Sequence, residues 1–447
     1  VELHSLRDGD TLDIFSEQML YNTNTHIAIL DTVSTIVSKD GTIHTTDGVY
    51  NTDTQQADLY RRSLVVAKNG NTLTGDTLYY DQNTGFGEAF GNIEMVDTAK
   101  KVTLLGDYGF YYEISDSARV YGHALAKEYS QSDTLYLHGD TISTFRRVFF
   151  TEKPQEILPA AAPADSLLPD SVTAEPLPLD SIPLASIPVA FLPVDSLPTQ
   201  SLPADSIRVD TLPVDSVAVD SVITDVVMAA PPKAVEMVAD TVHYLVAHPN
   251  VKFFRTDLQG LCDSMTFVSK DSLLHLDHHP VVWNENKQIF GNKIILHLND
   301  STVDWARLPQ FGFVAEHIDE EFYNQLTGKE MYATFEDGEL RHLDVSGNVQ
   351  AIMLPQENDS TYNKIANLES SYMAADFLNQ ELRRMKLWPE TSGTMTPLYL
   401  AKKQLYYLPQ FRWFEPLRPR KPEDVFIIPQ EMRDLFAEPP FGTSRRQ

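Results

Sequence analysis

The sequence predicts an all-β protein of stacked short antiparallel strands, interrupted by a proline-rich insertion expected to be disordered. A repeat carries this first. Gly or Thr followed by Asp precedes a short strand at Thr46-Asp47-Gly48-Val49-Tyr50-Asn51, Gly75-Asp76-Thr77-Leu78-Tyr79-Tyr80-Asp81, Gly106-Asp107-Tyr108-Gly109-Phe110-Tyr111-Tyr112 and Gly139-Asp140-Thr141-Ile142. The aspartates are 29 (47 to 76), 31 (76 to 107) and 33 (107 to 140) residues apart, a period of stacked repeat architectures rather than of a closed enzyme domain. Alternation carries it next: Leu78 and Tyr80 share one face while Thr77 and Tyr79 share the other, and Ile93 and Met95 alternate with Asn92 and Glu94. Asp-Gln-Asn-Thr-Gly and Asp-Thr-Ala-Lys-Lys between these runs are turn chemistry. Each strand has one apolar side, and a rung alone cannot bury it, so the rungs must stack around a shared apolar interior.

Composition agrees with an extended β core. The chain has 447 residues, 42% of them hydrophobic. The best helix signal, Ala374 to Leu387, reads equally as a strand pair turning at Asn379. One cysteine, Cys262, excludes an intrachain disulfide framework and reads as a buried inert thiol. A net charge of −28 opposes nucleic-acid binding. No apolar run approaches the roughly 20 residues of a membrane-spanning helix. The start at Val1, within strand-like sequence, is read as an exported product from which a signal peptide, and an unknown number of earlier rungs, has been removed.

The organisation expected is a strand block at 1–150, a low-complexity linker or insertion at 151–233, a second strand block at 234–415 and a basic, proline-rich tail at 416–447. In the insertion Leu-Pro-Val-Asp-Ser or Leu-Pro-Ala-Asp-Ser recurs at 192–196, 202–206 and 212–216, and proline this frequent favours extended chain over a sheet ladder. Its aliphatic content also suits a docking strand. Asp-Ser or Asp-Thr before an aliphatic residue places hydroxyls at Ser166, Ser171, Ser181, Ser196, Ser206, Thr211, Ser216 and Ser221. The triplet resembles the acceptor of periplasmic O-glycosylation in Bacteroides-type bacteria, which implies these eight positions as glycan sites.

Strand grammar returns at Thr241, and Asp263 to Asn292 is again 29 residues, so the two blocks read as parts of one stack. Leu258–Met265 (LQGLCDSM), Pro280–Trp283 (PVVW), Gln288–Gly291 (QIFG), Asn324–Met331 (NQLTGKEM), Gly347–Val349 (GNV), Glu369–Ser371 (ESS) and Phe411–Trp413 (FRW), with Gly75–Asp81 (GDTLYYD) and Phe90–Ile93 (FGNI) in the first block, resemble the OstA-like proteins of Bacteroides-type bacteria. These are relatives of the periplasmic bridge protein LptA and of the N-terminal domain of LptD. The resemblance covers roughly 20–150 and 240–415 and departs in the proline tract, which the short LptA bridge lacks.

The resemblance implies an LptA-like β-jellyroll, or β-taco, whose trough takes acyl chains of lipopolysaccharide or lipid A. It implies a periplasmic protein, free or associated with the outer membrane, whose open edge strands pair with LptD-like or other bridge proteins or with further copies end to end. The alternating apolar positions Leu73, Leu78, Tyr80, Ile93, Met95, Val102, Leu104, Phe110, Tyr112, Leu135, Leu137, Trp283, Ile294 and Leu296 are then the candidate lipid-facing residues, against the simpler reading that any of them is ordinary core.

No catalytic constellation and no cofactor motif stands out. His275, Asp277 and His279 share a strand face, with His278 beside them, but spacing suggests no further metal ligand, and a solvated strand end is the plainer reading. Asp47, Asp76, Asp107, Asp140 and Asp263 read either as a Ca²⁺-binding carboxylate ladder or as turn caps, the latter fitting their place before every rung. Leu405 to Phe414 reads as a final aromatic strand capping the last rung, before the basic tail; alternatively the tail docks on a partner and Arg418, Arg420 and Lys421 meet lipid phosphates. A sealed-core stalk or adhesin, and a β-helix polysaccharide-active enzyme, are the competing functions. An accessible apolar trough separates a carrier from both.

Overall fold

The computed structural model describes residues 1–7, 10–39, 41–129, 133–152, 237–299, 302–357, 361–379 and 381–442. The proline tract and its eight proposed acceptor hydroxyls lie outside the described residues. The described chain forms one antiparallel sheet of 33 strands, as the alternation predicts, with a single α-helix, Gln430–Ala437.

The sheet is bent lengthwise into two arms. The first arm starts with Glu2–Arg7 on Asp10–Ser16 and continues through Ser34–Ser38, Gly41–Thr45, Ser63–Ala67 and Thr72–Gly75. The second starts with Met19–Asn22 on Ile27–Leu30 and continues through Gly48–Asn51, Gln56–Leu59 and Thr77–Asp81. Four long strands, Phe86–Asp97, Val102–Tyr112, Glu339–Met353 and Lys364–Leu378, run through both arms. The repeat of about thirty residues is therefore one circuit of four strand passages, two per arm.

The recurrent aspartates stand at the corners between the arms. The Asp76 N–H donates to the Gly91 carbonyl, that of Asp107 to Gly122 and that of Asp140 to Pro249, each at 2.9 Å. Their carboxylates accept from the corner of the neighbouring passage: Asp76 from Asn92 Nδ2 at 2.6 Å, Asp140 from Asn250 Nδ2 at 2.8 Å and Asp47 from Arg61 Nε at 3.2 Å, while Asp107 pairs with His123 Nδ1 at 2.7 Å. Asn92, His123 and Asn250 have φ of 45°, 46° and 59°, and the carboxylate holds each in this uncommon left-handed turn. The aspartates are turn caps.

Facing inner sides of the arms bury one continuous core that draws on both strand blocks, from Leu12 and Ile14 to Met373 and Ala375. The blocks join directly, since Leu137 pairs with Phe253 across the insertion, and both belong to one compact unit. Residues Ala374 to Leu387 take the strand-pair form, with Ala375 opposite Met385 and Asn379 at φ 52° in the turn. Cys262 is fully buried, and burial pushes its thiol well above the ordinary range.

The C-terminal segment departs from expectation. Residues 398–442 make no final strand; Tyr406 packs on Ile352 and Ile365 of the last long strands, and the chain then runs back as a strap over the outer face of the first arm. Pro409, Pro416, Pro419, Pro422 and Pro429 remove ladder donors, so the chain forms short 3₁₀ turns and one helix instead. Phe414, Leu417, Met432 and Leu435 close a second core over Leu261, Val281, Trp283, Phe290 and Phe313.

Three buried glutamines fasten the strap. Gln325 donates to the Tyr406 carbonyl at 2.7 Å and accepts from the Leu408 N–H at 2.9 Å. Gln288 donates to Arg412 O at 2.8 Å and accepts from Phe414 N–H at 2.7 Å and from the Trp283 indole at 3.2 Å. Gln259 accepts from Arg418 Nε at 2.8 Å. Arg418 thus serves the strap, bonded to Gln259 and to the Glu285 carbonyl, which is not the place of a phosphate ligand; Arg420 pairs with Glu415 and stays exposed. The solvated-end reading of the histidines also fails for His279. It is 5% exposed, and its Nε2 donates to the Pro439 carbonyl at 3.0 Å beside Phe441.

Gln288→Ala strands three buried partners and should cost about 2–4 kcal/mol; thermal melts measure the loss, and limited proteolysis should show residues 398–442 cleaved first. Lys252, 3% exposed, donates from Nζ to the Ile427 carbonyl at 2.9 Å, and burial pushes its pKa down from 10.5 to about 8. The unfolded chain keeps this proton to about 10.5, so between those pH values it binds more protons and stability rises with pH, by on the order of 3 kcal/mol. Lys252→Met should flatten this rise, read by denaturant titration at pH 7 and pH 10.

Candidate functional site: an apolar groove between the arms

The arms meet tightly at the N-terminal rungs. Tyr50 is fully buried between them and donates to Gln82 at 3.1 Å, and Gln82 on the second arm donates in turn to Ser38 on the first. One further bond crosses the seam. Lys100 Nζ, 3.1 Å from Asp97 on its own turn, reaches Asp116 on the opposite lip at 3.2 Å. Burial works to lower the Lys100 ammonium, but the carboxylates of Asp97 and Asp116 outweigh it and hold its pKa above the ordinary value. Burial, with Asp116 and Glu113 nearby, raises Tyr111.

Where the seam ends, a cavity of about 650 Å³ opens between the arms, lined on one side by residues such as Leu104, Ala126, Leu137, Phe253 and Leu258 and on the other by Ala118, Tyr244, Met265, Phe267 and Leu274. Along the paired row of the first arm, Ile43, Val65, Leu73, Met95 and Leu104 give way to Ala126, which leaves room there. The wall is apolar; charged groups, Asp97, Lys100, Glu113, Asp116, Glu128 and Arg255, stand with His243 in the lining. Passages Thr141–Glu152 and Met237–His248, which flank the proline tract in sequence, supply Phe145 and Tyr244, stacked with ring centres 5.1 Å apart.

Eight of the fourteen candidate residues line this groove: Leu73, Tyr80, Met95, Val102, Leu104, Leu135, Leu137 and Leu296. Leu78, Ile93 and Ile294 face the same interior but are packed as core outside the groove, at 1%, 1% and 2% exposure. Three are corrected. Phe110 and Tyr112 lie on the outer face of the second arm, among Tyr108, Tyr121 and Phe86. The corner at Gly106-Asp107 shifts the parity of the strand, so that Leu104 and Tyr111, not Phe110, point inward. Trp283 faces outward beneath the strap, and its neighbour Val282 lines the groove.

Alternation alone missed Phe145, Tyr244, Phe253 and Phe267. Leu258, in a turn closed by Arg255, was findable: an apolar side chain at a turn tip has little reason to be there unless the tip borders an apolar space. Among the described residues, no group of three His, Cys, Asp or Glu is arranged to hold a metal. His275 and His279 do not converge: His279 is beneath the strap, and burial, then Lys293, lowers the pKa of His275.

Compared with protein-family models and with curated proteins, the chain matches none. The functional reading rests on the groove itself.

Leu296→Trp should fill the cavity and lower uptake of an apolar dye such as N-phenylnaphthylamine several-fold. Phe110→Ala, on the outer face, should leave uptake unchanged; dye fluorescence titration reads both.

Proposed function

We propose that the protein is a non-enzymatic periplasmic carrier that shields the acyl chains of lipopolysaccharide in the groove and bridges toward the outer-membrane assembly site. The observation that carries this is an apolar cavity of about 650 Å³ between the arms, open to solvent and spanning several rungs. A sealed stalk has no use for such a space. Its volume falls within the roughly 300–1,000 Å³ of small-molecule sites, and its walls offer a flexible tail nothing but dispersion and burial. At about 0.8 kcal/mol per methylene, a fourteen-carbon chain would gain on the order of 10 kcal/mol. Rungs of similar lining let such a chain slide between near-equal sites.

The ends of the stack support the bridging part. Among the described pairings, Glu2–Arg7 and Met19–Asn22 at one end, and Glu381–Trp388 and Ser392–Pro397 at the other, are hydrogen-bonded on one side only. Such edges accept a further strand from a bridge protein, an LptD-like receiver or a second copy.

Native mass spectrometry with lipid extraction, on protein purified from a Gram-negative host, tests the proposal. Wild type should carry lipopolysaccharide or lipid A, and Leu258→Asp and Leu296→Asp, at partly exposed positions, should lose it while keeping the wild-type circular dichroism. A lipid-free wild type that takes up no added lipopolysaccharide would return the stalk to first place.

A further inference from the structure

The mouth of the groove has a chemistry of its own. A lipid whose tail fills the apolar wall leaves its head at the lips, where the lining charges are four carboxylates, Asp97, Glu113, Asp116 and Glu128, against two permanent cations, Lys100 and Arg255. Both cations are already committed. Lys100 is held between Asp97 and Asp116, and Arg255 grips Asp257 through Nε at 2.6 Å and a terminal nitrogen at 3.0 Å. His243, the remaining basic group of the lining, sits 3.6 Å from Asp116.

A bare anionic head would have to displace a carboxylate from Lys100 or from Arg255 before it found a partner, beside the carboxylates of Asp97, Asp116 and Glu113. An ammonium meets the opposite situation. Lys100 itself shows the fit: its Nζ lies 3.1 and 3.2 Å from carboxylates on two different lips, so the mouth already houses one ammonium in a two-carboxylate cradle. Glu113, on the same turn as Asp116, accepts from the Tyr80 hydroxyl at 3.3 Å through one oxygen and extends the acidic lip beyond that cradle.

We infer that the groove selects acyl amphiphiles whose head carries an ammonium group, and discriminates against those whose head is purely anionic. This rests on the carrier reading and adds the head to it: the acyl wall supplies affinity, and the carboxylate rim around Lys100 supplies selection. The lipopolysaccharide it takes would present an amine-substituted head to this rim.

Three probes with the same sixteen-carbon chain separate tail from head: hexadecylamine, hexadecanol and hexadecanoate. Each is titrated at neutral pH, below its aggregation concentration and at low salt, against full-length protein loaded with N-phenylnaphthylamine. The amine should displace the dye at about tenfold lower concentration than the carboxylate, with the alcohol between them, and added salt should shrink the ratio. Asp97→Asn with Asp116→Asn should reduce it at least threefold, whereas Lys100→Ala, which frees both carboxylates, should widen it. These positions are on solvent-facing turns, so folding is checked by melting temperature alongside. Equal displacement by all three, or a preference for the carboxylate, would overturn the head selection and leave the carrier reading standing. Failure of all three to displace the dye would overturn both.

Discussion

Every passage of this chain depends on the corner between the arms. A strand with one apolar face has to find a second face opposite, and here the chain supplies it by turning each strand into the other arm. The turn forces residues such as Asn92, His123 and Asn250 into left-handed backbone, and a carboxylate from the adjacent passage bonds Asn92, His123 and Asn250 in that conformation. Because each corner is tied to its neighbour, the corners align, and aligned corners keep two inner faces opposed over the whole stack. The core, the seam and the groove all follow from that alignment.

Seam and groove are two states of one architecture, set by side-chain volume and by what crosses between the lips. Tyr50 fills the early rungs and Gln82 bonds across to Ser38, so the arms close. Ala126 replaces the larger Leu104 of the preceding passage on the first arm, and the bond across the lips from Lys100 to Asp116 stands beside the cavity. The same apolar inner face is therefore a sealed core in one part and an accessible wall in another, with no change in strand geometry.

The fold was largely legible in the sequence because its signals are local. The Asp-led period marks corners, and alternation marks inner faces. Parity across a corner was not legible: the strand carrying Leu104 also carries Phe110, and only the turn at Gly106-Asp107 shows that the inward set passes to Tyr111. Trp283 misled for a different reason. Val281, Val282 and Trp283 are all buried, because the strap covers the outer face as the core covers the inner one, and a strand buried on both sides has no alternation to read. The strap itself was hidden because its contacts, such as Gln288 with Phe414, are 126 residues apart in the chain.

That distance also sets an order of events. The strap is synthesised after the strands it covers, so a chain that ended before residue 398 would leave Trp283, Phe290 and Phe313 uncovered on the outer face of the first arm. Such an aromatic patch is the kind of surface that chaperones and proteases act on. The strap thus distinguishes a chain that has reached residue 442 from one cut short before it, by the surface each shows.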